Sequence, residues 1–140
     1  MFSWSVEASY KTTAAKEKIW DLWADVPNWP QWDIDLEWSK LEGPFATGGK
    51  GSLKPKGGPT FSFKLTQVVP YRSFSVATSL PLTTILFAHI LEKGPDGTHQ
   101  IRHYADCKGL LAPLLFLTLR RSLKKGLPLS VHKISEMAEV

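Results

Sequence analysis

The sequence predicts an α+β domain, a seven-stranded antiparallel sheet with its helices on one face. Three observations carry that expectation. An unbroken polar/apolar alternation opens the chain, a tryptophan-rich segment of helical period follows at once, and a long apolar stripe of helical period closes it. Between the two helical regions the residues alternate and are punctuated by glycine and proline, as in a strand meander. A chain of 140 residues suits one domain with one core, spanning 1–140.

Phe2, Trp4, Val6, Ala8 and Tyr10 alternate with Ser3, Ser5, Glu7, Ser9 and Lys11, the period of a strand with one dry face and one wet face. Thr12 or Thr13 can cap a helix over Ala14 to Asp25, with Glu17 near its positive end. Ile19, Trp20, Trp23 and Val26 recur at spacings of three and four, so they share one helical face before Pro27 ends it. Asn28 to Trp32 predicts a second, short helical turn with Pro30 near its start.

Ile34, Leu36 and Trp38 predict the inner face of a second strand that runs to the Glu42-Gly43-Pro44 break. Gly48-Gly49 and Gly57-Gly58-Pro59 bracket a third strand near Lys50 to Lys54. Phe61, Phe63 and Leu65 share one face of the fourth, and Phe74, Val76, Thr78 and Leu80 one face of the fifth. Gly94-Pro95-Asp96-Gly97 has the chemistry of a three-residue hairpin loop, with glycine where a positive φ is needed. If Gly94 closes against Thr98, then His89 lies opposite His103, Leu91 opposite Ile101, and Phe87 opposite Ala105. Two histidines would then sit side by side among apolar neighbours.

Ala112 to Ala138 predicts one long helix, about 40 Å if straight, with Pro113 in its first turn and a kink near Gly126 and Pro128. Leu119, Leu123, Leu127, Val131, Ile134 and Ala138 form its apolar stripe. A sheet this long curls by its own twist, and a helix laid across its concave face cannot fill the groove, so a cavity between them is expected.

The composition narrows the functional classes. Cys107 is the single cysteine, which excludes an internal disulfide and predicts a buried, inert thiol. The net charge of +4 gathers in Arg120-Arg121-Ser122-Leu123-Lys124-Lys125, without interleaved aromatics or a reader motif, so no nucleic-acid partner is expected. The apolar run Leu110 to Leu119 is about half the length a membrane-spanning helix needs. Met1 to Glu7 holds neither a basic leader nor an apolar signal run, and the expected location is the cytoplasm. Phosphate-loop, nucleophile-elbow and zinc-helix motifs are all missing. Two histidines fall short of a catalytic zinc site, and His99 and His103 are about 13 Å apart along one strand face, so no metal is expected.

Read in order, Ile19-Trp20-Asp21-Leu22-Trp23, Asp25-Val26-Pro27-Asn28-Trp29-Pro30-Gln31-Trp32-Asp33, Leu41-Glu42-Gly43-Pro44-Phe45, Gly48-Gly49, Phe74, Phe87-Ala88-His89, Gly97-Thr98 and Gly109-Leu110-Leu111-Ala112-Pro113 give a resemblance over almost the whole chain. The sequence resembles the START-like superfamily, also called SRPBCC or helix-grip, and within it the polyketide cyclase/dehydrase branch. That resemblance implies a helix-grip fold: a curved seven-stranded antiparallel sheet wrapped around a long C-terminal helix, with two short helices between strands 1 and 2. It implies no cofactor and does not by itself fix a function.

His89 and His103 are the candidate catalytic residues, since an imidazole can donate, accept or shuttle a proton near neutral pH. No orienting partner for a general base is identified beside them, so the simpler reading is that they satisfy each other or a backbone group and merely line the cavity. Tyr10, Trp23, Trp29, Phe61, Phe63, Phe74, Phe87, Ile101, Leu119 and Leu123 join them as the candidate ligand-binding wall. The expected partner is an apolar or aromatic small molecule, such as a lipid or polyketide-like compound, bound by a monomer or homodimer. A cyclase- or dehydratase-type enzyme with His89 or His103 as general acid/base is the alternative. A third reading is lipid handling at a membrane surface by Leu110 to Leu119 and the basic cluster.

Overall fold

In a computed structural model that describes residues 2–140, β1 (Ser3–Thr12) leads into α1 (Lys16–Ala24) and a 3-10 helix (Val26–Gln31). Six strands follow: β2 (Leu36–Glu42), β3 (Lys50–Pro55), β4 (Phe61–Val69), β5 (Ser73–Leu80), β6 (Thr83–Lys93) and β7 (His99–Gly109). The chain ends in α2 (Ala112–Leu117) and α3 (Leu119–Ala138). All seven strands form one antiparallel sheet in the order β1-β7-β6-β5-β4-β3-β2, so each hairpin pairs with its sequence neighbour and β1 closes on β7. This is the helix-grip architecture, with α3 packed against β1, β7 and α1.

The β6–β7 hairpin has the register its turn chemistry predicts: Gly94 N–H donates to Thr98 O at 2.8 Å, and His89 pairs with His103. Asp96 and Gly97 both take positive φ in that loop. Other elements depart from the sequence reading for identifiable reasons. Thr12 and Thr13 do not cap α1; the helix starts at Lys16 behind Ala15 with no side-chain cap. The Thr12 hydroxyl instead accepts from Ala14 N–H and from Ser135 and donates to Glu139, so long-range bonds to α3 take the place of the local cap. The second helical turn begins at Val26 rather than Asn28, with Pro27 in its first positions and Pro30 inside it.

A bulge between Leu36 and Trp38 resets β2. Leu36 remains inside, but beyond the bulge Ser39 is the buried residue, donating to Val26 O at 2.6 Å, while Trp38 lies on the outer face beside Lys40. Ile34 falls in the exposed turn before the strand.

The C-terminal region is two helices, and the break lies at Thr118 (φ −117°, ψ −73°) rather than at Gly126 or Pro128. The α2 segment is pinned to the end of the sheet, where the Trp4 indole donates to Ala112 O at 2.8 Å, whereas α3 must cross the sheet, and no single straight helix satisfies both. Pro128 and Lys124, the residue one turn back whose carbonyl loses its partner, both lie on the exposed side of α3, and the helix runs on through the proline. Gly126 is buried against the 33–35 turn, where a Cβ would overlap the Asp35 carboxylate.

Two apolar clusters fill the space between the layers. The larger joins Ile19, Trp23, Trp29 and Trp32 to Phe63, Leu65, Phe74 and the Val131–Ala138 end of α3. The smaller joins Trp4, Val6, Ile85 and Cys107 to Ala112, Leu123 and Leu127. Cys107 is buried, and burial raises its thiol pKa.

Candidate functional site

A cavity of about 240 Å³ lies between the sheet and α3, at the seam of the two clusters. Ligand pockets usually measure about 300–1,000 Å³, and this one lies just below that range, which suits a ligand at the small end. Its apolar wall comes from Trp29, Trp32, Leu36, Val76, Phe87, Leu119, Leu123 and Leu127. Lys56 and Ser122 mark its exposed rim, with Asp33 and Asp35 half-buried beside them.

The closed end is built on His89 and His103. Cross-strand pairing on β6 and β7 places their rings 4.5 Å apart, edge to face. His89 stacks on Phe74 at 3.9 Å, and Trp23 and Trp32 approach both imidazoles from the helical layer. His89 Nδ1 lies 3.3 Å from Phe74 O, an acceptor only, so neutral His89 donates from Nδ1 and keeps Nε2 as an acceptor. Burial pulls the His89 pKa down to about 3. His103 is held well below its ordinary value by burial and then by the neighbouring His89, so both rings are neutral at pH 7.

The mouth carries opposite chemistry. Desolvation raises the Asp33 carboxyl to about 6 even though the Asp35 N–H donates to it at 3.1 Å; Asp35 adds repulsion and Lys56 attraction. A group poised there exchanges protons near neutral pH, which neither histidine does.

Of the residues singled out in the sequence, Trp29, Phe87, His89, His103, Leu119 and Leu123 line the cavity. Trp23, Phe63, Phe74 and Ile101 are buried behind it as support. Phe61 is half-buried on β4 outside the lining, and Tyr10 is 37% exposed, with its ring edge-on to His132 at 5.1 Å. Tyr10 shares the inner face of β1 with Trp4, Val6 and Thr12, but its ring meets α3 at His132 and lies outside the cavity lining.

Trp32, Asp33, Asp35, Lys56, Ser122, Gly126 and Ser130 escaped the sequence reading. For α3 a signal existed: Ser122, Gly126 and Ser130 recur every four residues, a row of small side chains beside the leucine stripe. Small residues on a helix face leave unfilled the space that becomes a cavity. The two aspartates gave no such cue, because alternation placed Asp35 on the wet face of a strand that begins only after it.

A curved antiparallel sheet holding a largely apolar hollow against its terminal helix defines a helix-grip, cavity-bearing protein. The chain belongs to the family described as polyketide cyclase / dehydrase and lipid transport, which it matches over residues 3–129, within the SRPBCC superfamily. Among solved structures it is similar to the ZhuI aromatase/cyclase from Streptomyces sp. R1128, at 13% identity and TM-score 0.79, covering 98% of this chain and 94% of that one. It is similar to the di-domain aromatase/cyclase StfQ of the steffimycin biosynthetic pathway at 13% identity and TM-score 0.79, covering 99% of this chain but about half, 51%, of that one. A truncated norcoclaurine synthase from Thalictrum flavum aligns at 11% identity and TM-score 0.73, over 96% of this chain and 92% of that one. At these identities the likeness shows the fold. No curated protein matches the sequence.

Proposed function

We propose that the protein binds an apolar or aromatic small molecule, lipid or polyketide-like, in the cavity between the sheet and α3. The observation that carries this reading is the seam itself: aromatic and leucine walls, two neutral imidazoles at the closed end, and charge confined to the rim. Such a site gains most of its affinity from apolar burial, at about 25 cal/mol per Å², and uses the few polar groups for orientation. Trp29 and Trp32 lie in the wall, so an aromatic ligand should quench intrinsic fluorescence and raise the melting temperature. A panel of fatty acids, sterols, phenolic polyketides and flavonoids that leaves both signals unchanged would refute it.

A second reading is supported by Asp33, whose carboxyl titrates near 6 at the same cavity. There Asp33 removes or returns a proton on a bound carbonyl compound, while neutral His103, whose buried Nε2 has no partner among the described residues, donates to its oxygen, as in a cyclase or dehydratase. Turnover of a poly-β-ketone mimic by the native protein, lost in Asp33→Asn with binding retained, tests this reading; turnover unchanged in Asp33→Asn rejects it.

A further inference from the structure

Six large apolar side chains stand out at one end of the molecule, on three separate connections. Phe2 precedes β1, Leu82 turns β5 into β6, and Leu110, Leu114, Phe116 and Leu117 follow β7. Leu82, Leu110, Leu114 and Leu117 are each 60–75% exposed. Their backbone is tied down: Gly109 N–H donates to Phe2 O, Leu110 N–H to Leu82 O, Leu111 N–H to the Thr83 hydroxyl, and the Trp4 indole to Ala112 O, all within 2.8–3.0 Å. Gly109 allows this join, since a Cβ there would overlap Leu82 O and Thr83 Cα. The leucines are therefore presented by a fixed frame.

The charge in the segments that supply them is mostly of one sign. No acidic residue occurs between Asp106 and Glu136, while Lys108, Arg120, Arg121, Lys124 and Lys125 fall in the part of that interval near the tip, and Lys133, farther along α3, pairs with Glu136 at 3.2 Å; nor does any occur from Gly43 to Leu91, the stretch that supplies Leu82. Asp106 itself pairs with Lys108 at 3.6 Å. Arg120 lies over the Phe116 ring at 4.7 Å, and Arg121 beside it in the first turn of α3 has no acid there to balance it, although a helix dipole disfavours cations at that end. An arrangement that local electrostatics opposes points to an external anion.

We propose that this end docks on an anionic lipid bilayer, the leucine tip entering the acyl boundary and the cationic first turns of α3 resting on the headgroups. The apolar side chains protrude rather than line a groove. A protein partner would need a matching hollow, whereas a bilayer accepts protrusions without shape complementarity and an anionic surface supplies the missing negative charge. Leu119, Ser122 and Leu123 line the cavity immediately beyond this tip, so docking brings the ligand site to the membrane surface. The docking does not depend on which molecule the cavity takes.

The test is co-sedimentation of the full chain with phosphatidylcholine vesicles, with and without phosphatidylserine. Binding is expected only with phosphatidylserine, and it should weaken as salt rises. Leu114→Asn with Leu117→Asn should lower partitioning about tenfold or more per leucine. Arg121→Glu with Lys124→Glu should lower it at least about fivefold per charge. All four residues are exposed, so both variants should melt like the parent. Equal binding to neutral and anionic vesicles, undiminished binding by either variant, or self-association through the tip without vesicle binding would each overturn the proposal.

Discussion

Acid should attack the closed end of the cavity first, and the size of the effect follows from His89. In the folded protein its pKa lies at about 3 against an ordinary 6.5, so between those values the unfolded chain binds a proton that the folded chain refuses. Stability is therefore full above pH 6.5 and is lost as pH falls through that value toward 3. From pH 7 to pH 5 the cost is about 2 kcal/mol for this one group, a sizeable part of the roughly 5–15 kcal/mol that holds a domain folded. His103, also depressed by burial, acts with the same sign. Asp33 acts with the opposite sign: its raised pKa means that the folded state takes up a proton first as pH falls through about 6, which favours folding. Comparing the parent with His89→Leu cancels both neighbours to first order. Urea unfolding followed by tryptophan fluorescence at pH 7 and pH 5 reads the difference, and with an m-value near 2 kcal/mol per M the parent's midpoint should fall about 1 M further than the variant's. Equal falls in the two proteins would show that His89 is hydrated, and the dry closed end would be abandoned.

Three further substitutions probe the frame and the cavity. Ser130→Leu projects from the buried face of α3 into the cavity, so it should abolish ligand-induced thermal shifts while changing the unliganded melting temperature little; retained shifts would place the ligand elsewhere. Gly109→Ala should destabilise by about 2 kcal/mol or more in urea titration, because the φ of 135° is foreign to alanine and the new methyl meets backbone rather than a movable side chain. Thr12→Val removes a buried hydroxyl that accepts from Ala14 N–H and Ser135, and about 1–3 kcal/mol should be lost; an unchanged midpoint would mean that those bonds contribute nothing net.

What the sequence revealed and what it concealed divide along a physical line. Strand pairing between β6 and β7 was legible because a four-residue turn signal fixes the register locally, and the His89–His103 pair follows from counting back along two strands. The aromatic wall was legible as helical period, Ile19, Trp20 and Trp23 all lying buried on α1. Thr12 and Thr118 were not legible, since each is decided across the fold: the Thr12 hydroxyl by Ser135 and Glu139, and the break at Thr118 by an indole bond that holds α2 to β1. Trp38 turned outward because of a bulge, which periodicity by construction does not register.

The cavity itself belongs to neither kind. Its roof is in part a deficit of volume: Ser130 leaves space on the buried face of α3, Ser122 opens the rim, and Gly126 admits the Asp35 carboxylate where any side chain would collide with it. Hydrophobic period records what a helix buries, not what it leaves open, so a row of small residues beside an apolar stripe carries information that the stripe does not. On α3 that row lines the same cavity as Trp32 and Phe87, and at Gly126, its middle member, it packs against Asp35, so one helix face helps to set both the cavity and the position of its charged mouth.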